Sequence, residues 1–219
     1  MKKTILVVGL DNFGQTICKD LSENGHIVIA LDQTSEKTLR VEPFVEHAAT
    51  GVLTTADIYK DLGLGHADWA VVSFPTHFDT AMIIVTILKD LGMSNIICQV
   101  TNEYQERIAK MLGASVTIYP DNIASKQTVR KIIWQNVLEH YALDQNYGVY
   151  EVIVNTSCFD GKTLRELQFP ETYSVNIVLI RRNGVTKMPS KNEVLERNDV
   201  VIVLCEQNKI SKFQEILND

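Results

Sequence analysis

Ile5-Leu6-Val7-Val8-Gly9-Leu10-Asp11-Asn12-Phe13-Gly14 is a short apolar run that breaks into a glycine-bounded turn. Thr16 to Leu21 then carries helical spacing, Gly25 stops the helix, and Ile27-Val28-Ile29-Ala30-Leu31 runs straight into Asp32. A strand covered on both faces is apolar without alternation, so residues 5–32 read as strand, glycine turn, helix, strand and terminal acid.

A glycine turn at a helix start aims unpaired N–H groups at one point, and an acid about 20 residues on can accept ribose hydroxyls. This is the layout of a Rossmann-like doubly wound α/β sheet, with Gly9, Asp11, Asn12, Phe13, Gly14 and Asp32 as candidate nucleotide-binding residues. In the G-x-G-x-x-G pattern the middle glycine is replaced by Asp11, which adds a Cβ and a negative charge. A carboxylate at a helix N-terminus satisfies the N–H groups a phosphate would use. Asp11 is therefore a candidate resident occupant of the anion site, and the turn is compatible with an altered nucleotide site or a scaffold that has lost one.

The 219 residues, 45% hydrophobic and 22% charged, suit a globular protein of one or two domains. A formal charge of −6 with no long basic run argues against nucleic-acid binding or attachment to an anionic membrane. No apolar run approaches the roughly 18 residues of a membrane span, and the expected location is cytoplasmic, without membrane insertion. Cys18, Cys98, Cys158 and Cys205 are far apart with apolar neighbours, which predicts buried reduced thiols. His26, His47, His66, His77 and His140 show no metal-ligand spacing.

Further along, strands are expected at 44–50, 69–74, 96–100 and 116–119, with helices at 35–40, 56–62, 77–91 and 103–112. Six strands alternating with five helices predict a parallel sheet covered on both sides, with Gly9, Asp32, Gly51, Ser73 and Gln99 at the strand ends that form the ligand crevice. Pro120-Asp121-Asn122 caps a helix expected from Ile123 to about His140, whose broad apolar face suggests a partner subunit or a second domain. From Tyr150 the pattern becomes short strands, at 149–154, 175–181 and 200–205, with helices near 163–167 and 208–217. The expected division is a Rossmann-like domain at 1–134, a linker at 135–147 and a small α+β module at 148–219.

The order of elements resembles the RCK (KTN) gating subunits of Ktr- and Trk-type potassium uptake systems over essentially the whole chain. The resemblance rests on Val8-Gly9 to Phe13-Gly14, Leu62-Gly63-Leu64, Ala67-Asp68, Asn102-Glu103-Tyr104, Leu112-Gly113-Ala114, Tyr119-Pro120, Gly161 to Leu167 and Asn198 to Val201. It implies a non-enzymatic regulatory homodimer, assembled into an octameric ring, on the cytoplasmic side of a membrane potassium-translocating subunit. It also implies ATP, ADP or NAD(H) in the N-terminal crevice, with Asp32 and Gln33 at the ribose and base contacts and Gly51 and Thr54 on the opposite wall, and cyclic di-AMP between paired C-terminal modules. Asn176, Ile177, Val178, Arg181, Arg182 and Pro189 are the candidates for that second site, and Asp121 is the candidate metal ligand near a subunit interface.

The chain departs from the resembled pattern at Asp11 for glycine, Asn12 for arginine, Val52 for Asp or Asn, and Gln99 for a basic residue. Each removes backbone access, positive charge or a hydrogen bond from a polyphosphate site, so the expectation is an impaired or altered N-terminal site. Two other readings share the opening unit: an NAD-dependent oxidoreductase, and an assembly scaffold that senses nothing.

Overall fold

The computed structural model describes residues 1–133, 136–155, 159, 161–210, 212, 213 and 216. The chain divides into two compact units, Met1–Ala124 and Ser125–Asp219.

The first unit contains β1 (Thr4–Val8), α1 (Asn12–Glu23), β2 (Ile27–Asp32), α2 (Ser35–Val41), β3 (His47–Thr50) and α3 (Asp57–Asp61). It continues with β4 (Trp69–Val72), α4 (Phe78–Asp90), β5 (Ile96–Gln99), α5 (Glu103–Leu112) and β6 (Val116–Ile118). The strands pair in the order β3-β2-β1-β4-β5-β6, all parallel. Alternate residues of β1 feed opposite faces: Leu6 and Val8 join Ile84, Val85 and Leu88, while Ile5 and Val7 join Cys18, Val28 and Val41. Both faces are apolar because helices cover both, which accounts for the unbroken apolar run in the sequence. Connections leave β1 in one direction along the sheet and reach β4 on its other side, so the order reverses between them. That reversal opens a crevice beyond their carboxyl ends.

The region read as one weak strand from Phe44 is instead a 3₁₀ turn at Glu42–Phe44 followed by β3 at His47. Pro43 enforces the turn, fixing its own φ and withholding the N–H that a strand would need.

The helix α6 (Pro120–Ile133) crosses from the first unit into the second. It was expected to reach His140, yet Val137–Ala142 is a strand, β7, paired antiparallel with β8 (Tyr147–Ile153). Val137 is buried and Leu138 is exposed, so apolar residues spaced as for a helix serve a strand instead. Asn136 fixes the start of this strand by accepting the Ile153 N–H at 2.9 Å. The segment read as a linker at 135–147 thus holds an edge strand and a tight turn. Trp134, within the expected helix, lies outside the described residues.

Next come α7 (Leu164–Leu167), α8 (Phe169–Tyr173), β9 (Val175–Arg182), β10 (Val185–Lys187) and β11 (Val200–Glu206). The order β10-β9-β11-β8-β7 is antiparallel throughout. Inward residues of this sheet, Tyr150, Val152, Val201 and Val203, pack with Phe159, Phe169 and Phe213. The Phe159 and Phe169 rings meet edge-on at 5.3 Å, the arrangement their quadrupoles favour. Thr163 caps α7 in a reciprocal box with Glu166. Gln168 ends α7 with φ +44 and Ser174 ends α8 with φ +58, both left-handed.

Candidate functional site: an occupied crevice and an open C-terminal cavity

Gly9 leaves β1 with φ +95, and a Cβ there would lie 2.1 Å from the Ser73 carbonyl oxygen. Gly14 is equally constrained, because its Cβ would lie 2.1 Å from the Gly9 carbonyl oxygen. These glycines let the turn, the end of β4 and the first turn of α1 close on one another. The middle position needs no glycine here: Asp11 has extended backbone, φ −70 and ψ −176, and is the N-cap of α1. Its Oδ1 accepts the Gly14 N–H at 3.0 Å. A capping acid of this kind contributes about 1 kcal/mol relative to alanine.

The same Oδ1 accepts the Ser73 hydroxyl at 2.7 Å, and Ser73 Oγ lies 2.6 Å from the Gln99 side-chain amide. Ser73 has one proton, so with it on Asp11 the amide must present its NH₂ to Ser73. Ser73 and Gln99 are both buried. A polar chain therefore runs along the crevice from the turn after β1, past β4, to β5, and each buried member has a partner. Burial lifts the neighbouring Cys98 thiol to about 12, which leaves no thiolate at neutral pH. Cys18, Cys98 and Cys205 are free and buried, in line with the sequence reading; Cys158 lies outside the described residues.

Asp32, expected to face a ribose, is only 2% exposed and already engaged. Its Oδ2 accepts the Leu10 N–H at 2.7 Å and its Oδ1 the Thr34 N–H at 2.9 Å, with Lys37 Nζ 3.6 Å from Oδ2. Two N–H donors and a cation offset the burial of the charge.

Asn12 is exposed as the first residue of α1, Phe13 packs against the α1–β2 core, and Gln33 is exposed beyond β2. Gly51 follows β3, where a Cβ would come within 2.6 Å of Ile58 Cδ1. Thr54 borders an apolar depression with Met82, Ile83, Thr86, Ile87 and Leu112, and takes no part in the Asp11, Ser73 and Gln99 chain. Asp121 is exposed in the first turn of α6. Among the described residues no group of three or more His, Cys, Asp or Glu could hold a metal.

In the second unit a cavity of about 360 Å³ is lined by α7, α8 and the start of β9 together with the segment after β10. It gathers Asn176, Ile177 and Pro189, three of the residues expected at a C-terminal ligand site. Its cations are Arg165 and Lys191, which that reading did not include; Gln168, Phe169 and Glu171 also line it.

Arg181 and Arg182, candidates for the same site, are not among the residues lining this cavity and are engaged with acids of the chain. Arg181 makes a two-pronged pair with Glu151 at 2.9 and 3.1 Å. Arg182 grips the buried Asp199 carboxylate at 2.7 and 2.8 Å and reaches Glu196 and the Val194 carbonyl. A guanidinium committed to a planar carboxylate in this way has few donors left for a ligand. Val178 is exposed on β9 and is not among the cavity-lining residues. Burial pushes the Asp199 carboxyl up, but the Arg182 bonds, the Glu196 N–H and nearby cations outweigh it and hold the group below the usual carboxylate range.

Comparison with known proteins places residues 5–120 in the TrkA-N domain family and residues 149–218 in the TrkA-C domain family. The chain is 32% identical over 216 residues to the Ktr system potassium uptake protein C of Bacillus subtilis (strain 168), covering 98% of this chain and 97% of that protein. It is 25% identical over 210 residues to the Ktr system potassium uptake protein A of Vibrio alginolyticus, covering 95% of each. Among solved structures the GsuK channel superposes with a TM-score of 0.67 at 16% identity, over 99% of this chain and 40% of that one. At that identity the likeness concerns the fold, which is that of RCK domains. Among the described residues no helix is long and apolar enough to cross a membrane.

Proposed function

The chain belongs to the family built from TrkA-N and TrkA-C domains and is homologous to the Ktr potassium uptake proteins, and from this premise we propose that it is the cytoplasmic regulatory subunit of a potassium uptake system. In this reading it performs no catalysis. A homodimer, assembled into a ring, docks on a membrane potassium-translocating subunit, and a ligand that binds one ring geometry better than another shifts the pathway open or closed.

The observation that carries the choice of sensor is the contrast between the two sites. At the N-terminal crevice the helix N-terminus is held by the Asp11 carboxylate, itself bonded to Ser73. A di- or triphosphate would have to displace that carboxylate and face its charge, so ATP, ADP or NAD(H) binds there weakly. The C-terminal cavity offers two cations, an amide at Asn176 and the apolar surfaces of Phe169, Ile177 and Pro189. Cations for phosphate and apolar walls for purine are the chemistry of a cyclic dinucleotide site. A volume of about 360 Å³ per subunit suits one half of a two-fold ligand shared by a pair of subunits. Cyclic di-AMP is the proposed effector.

Calorimetry on the full chain with ATP, ADP, NADH and cyclic di-AMP tests this. Tight cyclic di-AMP binding at one ligand per two chains, with nucleotides far weaker, is the expected result. Micromolar ATP binding lost on mutation of the N-terminal turn overturns the choice of sensor. A deletion strain that grows normally at limiting potassium overturns the role in uptake.

A further inference from the structure

We propose that the cleft between α6 and β7 binds a compact oxyanion through Arg130, Lys131 and Gln127. Gln127, Arg130 and Lys131 stand three and four residues apart, so they share one face of α6. That face meets Val137, Leu138, Glu139 and His140 across the cleft.

Among the described residues neither Arg130 nor Lys131 belongs to an ion pair, whereas Arg181 and Arg182 are both paired with acids. Among the described residues Glu139 is the single carboxylate lining the cleft, so their formal charge is one positive with a neutral imidazole. Arg130 is partly buried and lies near enough to His140 to lower its pKa, which burial of the ring already depresses. The His140 ring packs on Tyr150 with centroids 4.5 Å apart, giving the cleft a firm inner wall. A partly desolvated guanidinium beside a lysine is an electrostatically incomplete arrangement, and an oxyanion completes it through the planar fork.

Size sets the class of ligand. The cleft holds about 100 Å³, room for a tetrahedral oxyanion or a carboxylate. Nucleotide-sized ligands require roughly 300 Å³ or more. The site is therefore distinct in size and position from the cavity walled by α7 and α8. A bound anion would tie the last turns of α6 to β7.

The test is titration of the full chain with sodium phosphate and with sodium sulfate, at ionic strength held constant with sodium chloride, read by thermal melting and calorimetry. Saturable stabilisation by both anions is expected, with Arg130→Ala weakening it about tenfold or more and Lys126→Ala, on the same helix and outside the cleft, leaving it unchanged. Failure to saturate beyond the chloride control overturns the proposal, as does an unaltered response in Arg130→Ala. Should Arg130→Ala fail to fold, Arg130→Lys and Lys131→Ala replace it, and wild-type binding by both is a refutation. If phosphate has no effect while Arg130 variants change the sedimenting mass, the carboxylate of another chain is the partner and the free-anion site is refuted.

Discussion

The Asp11 carboxylate and the Ser73 hydroxyl meet at 2.7 Å, joining the turn after β1 to the end of β4 across the point where the strand order reverses. The negative charge that a nucleotide fold ordinarily receives from its ligand is here supplied by the chain.

Replacing Asp11 by glycine removes that charge at a position where glycine is a tolerable cap. Stability should fall by only a few tenths of a kcal/mol for Asp11→Gly, against about 1 kcal/mol for Asp11→Ala, in urea denaturation. ADP affinity measured by calorimetry should rise about tenfold or more in Asp11→Gly, since a phosphate then gains free N–H donors. Unchanged weak binding would place the obstacle elsewhere in the crevice.

Gly14→Ala puts a methyl 2.1 Å from the Gly9 carbonyl oxygen, a contact that only backbone movement can relieve. A loss of about 3 kcal/mol is expected. Circular dichroism melts should show the N-terminal unit weakened.

Asp199 and Arg182 give the C-terminal unit an acid sensitivity of known sign. The folded carboxyl sits below its ordinary range, so its contribution is complete above the unfolded value of about 4 and is lost as pH falls through the lower folded value. Denaturant midpoints of wild type should be flat at neutral pH and drop in acid. Asp199→Asn should flatten that drop. Arg182→Ala, which strands a buried charge, should cost about 3 kcal/mol at pH 7.

At the C-terminal cavity, Arg165→Ala and Lys191→Ala should each weaken cyclic di-AMP binding about tenfold or more, as expected for lost charge-assisted bonds. Arg181→Ala, whose side chain is committed to Glu151, should leave the affinity close to wild type. Titration calorimetry of the three variants separates the two arginine assignments.

The parallel sheet and the crevice were legible because buried strands write themselves as apolar runs and Asp11 stands in a position normally reserved for glycine. Ser73 and Gln99 could be placed at strand ends, but their bond to Asp11 depends on β4 and β5 lying beside β1, a property of topology. Arg181 and Arg182 stand side by side in the sequence. Their acids, Glu151 and Asp199, are 30 and 17 residues away in sequence, a separation no local pattern reveals. Arg165 and Lys191 meet because the start of α7 is bonded to the segment after β10, Leu164 N–H to the Glu193 carbonyl and Arg165 N–H to the Lys191 carbonyl, both at 2.9 Å. Strand β7 was hidden by apolar residues whose spacing also fits a helix. Strand β10, exposed at all three positions, has no alternation to read.

Gln168 and Ser174 bracket α8 with left-handed backbone, a conformation that disfavours side chains by about 1–2 kcal/mol. Five residues carrying Phe169 into the aromatic core are thus clamped between two reluctant hinges, one of them on the cavity wall. Gln168→Gly and Ser174→Gly should relax both hinges and raise the melting temperature of the small unit, while loosening the rim on which a guest would rest. Durability and responsiveness pull against each other at these two positions.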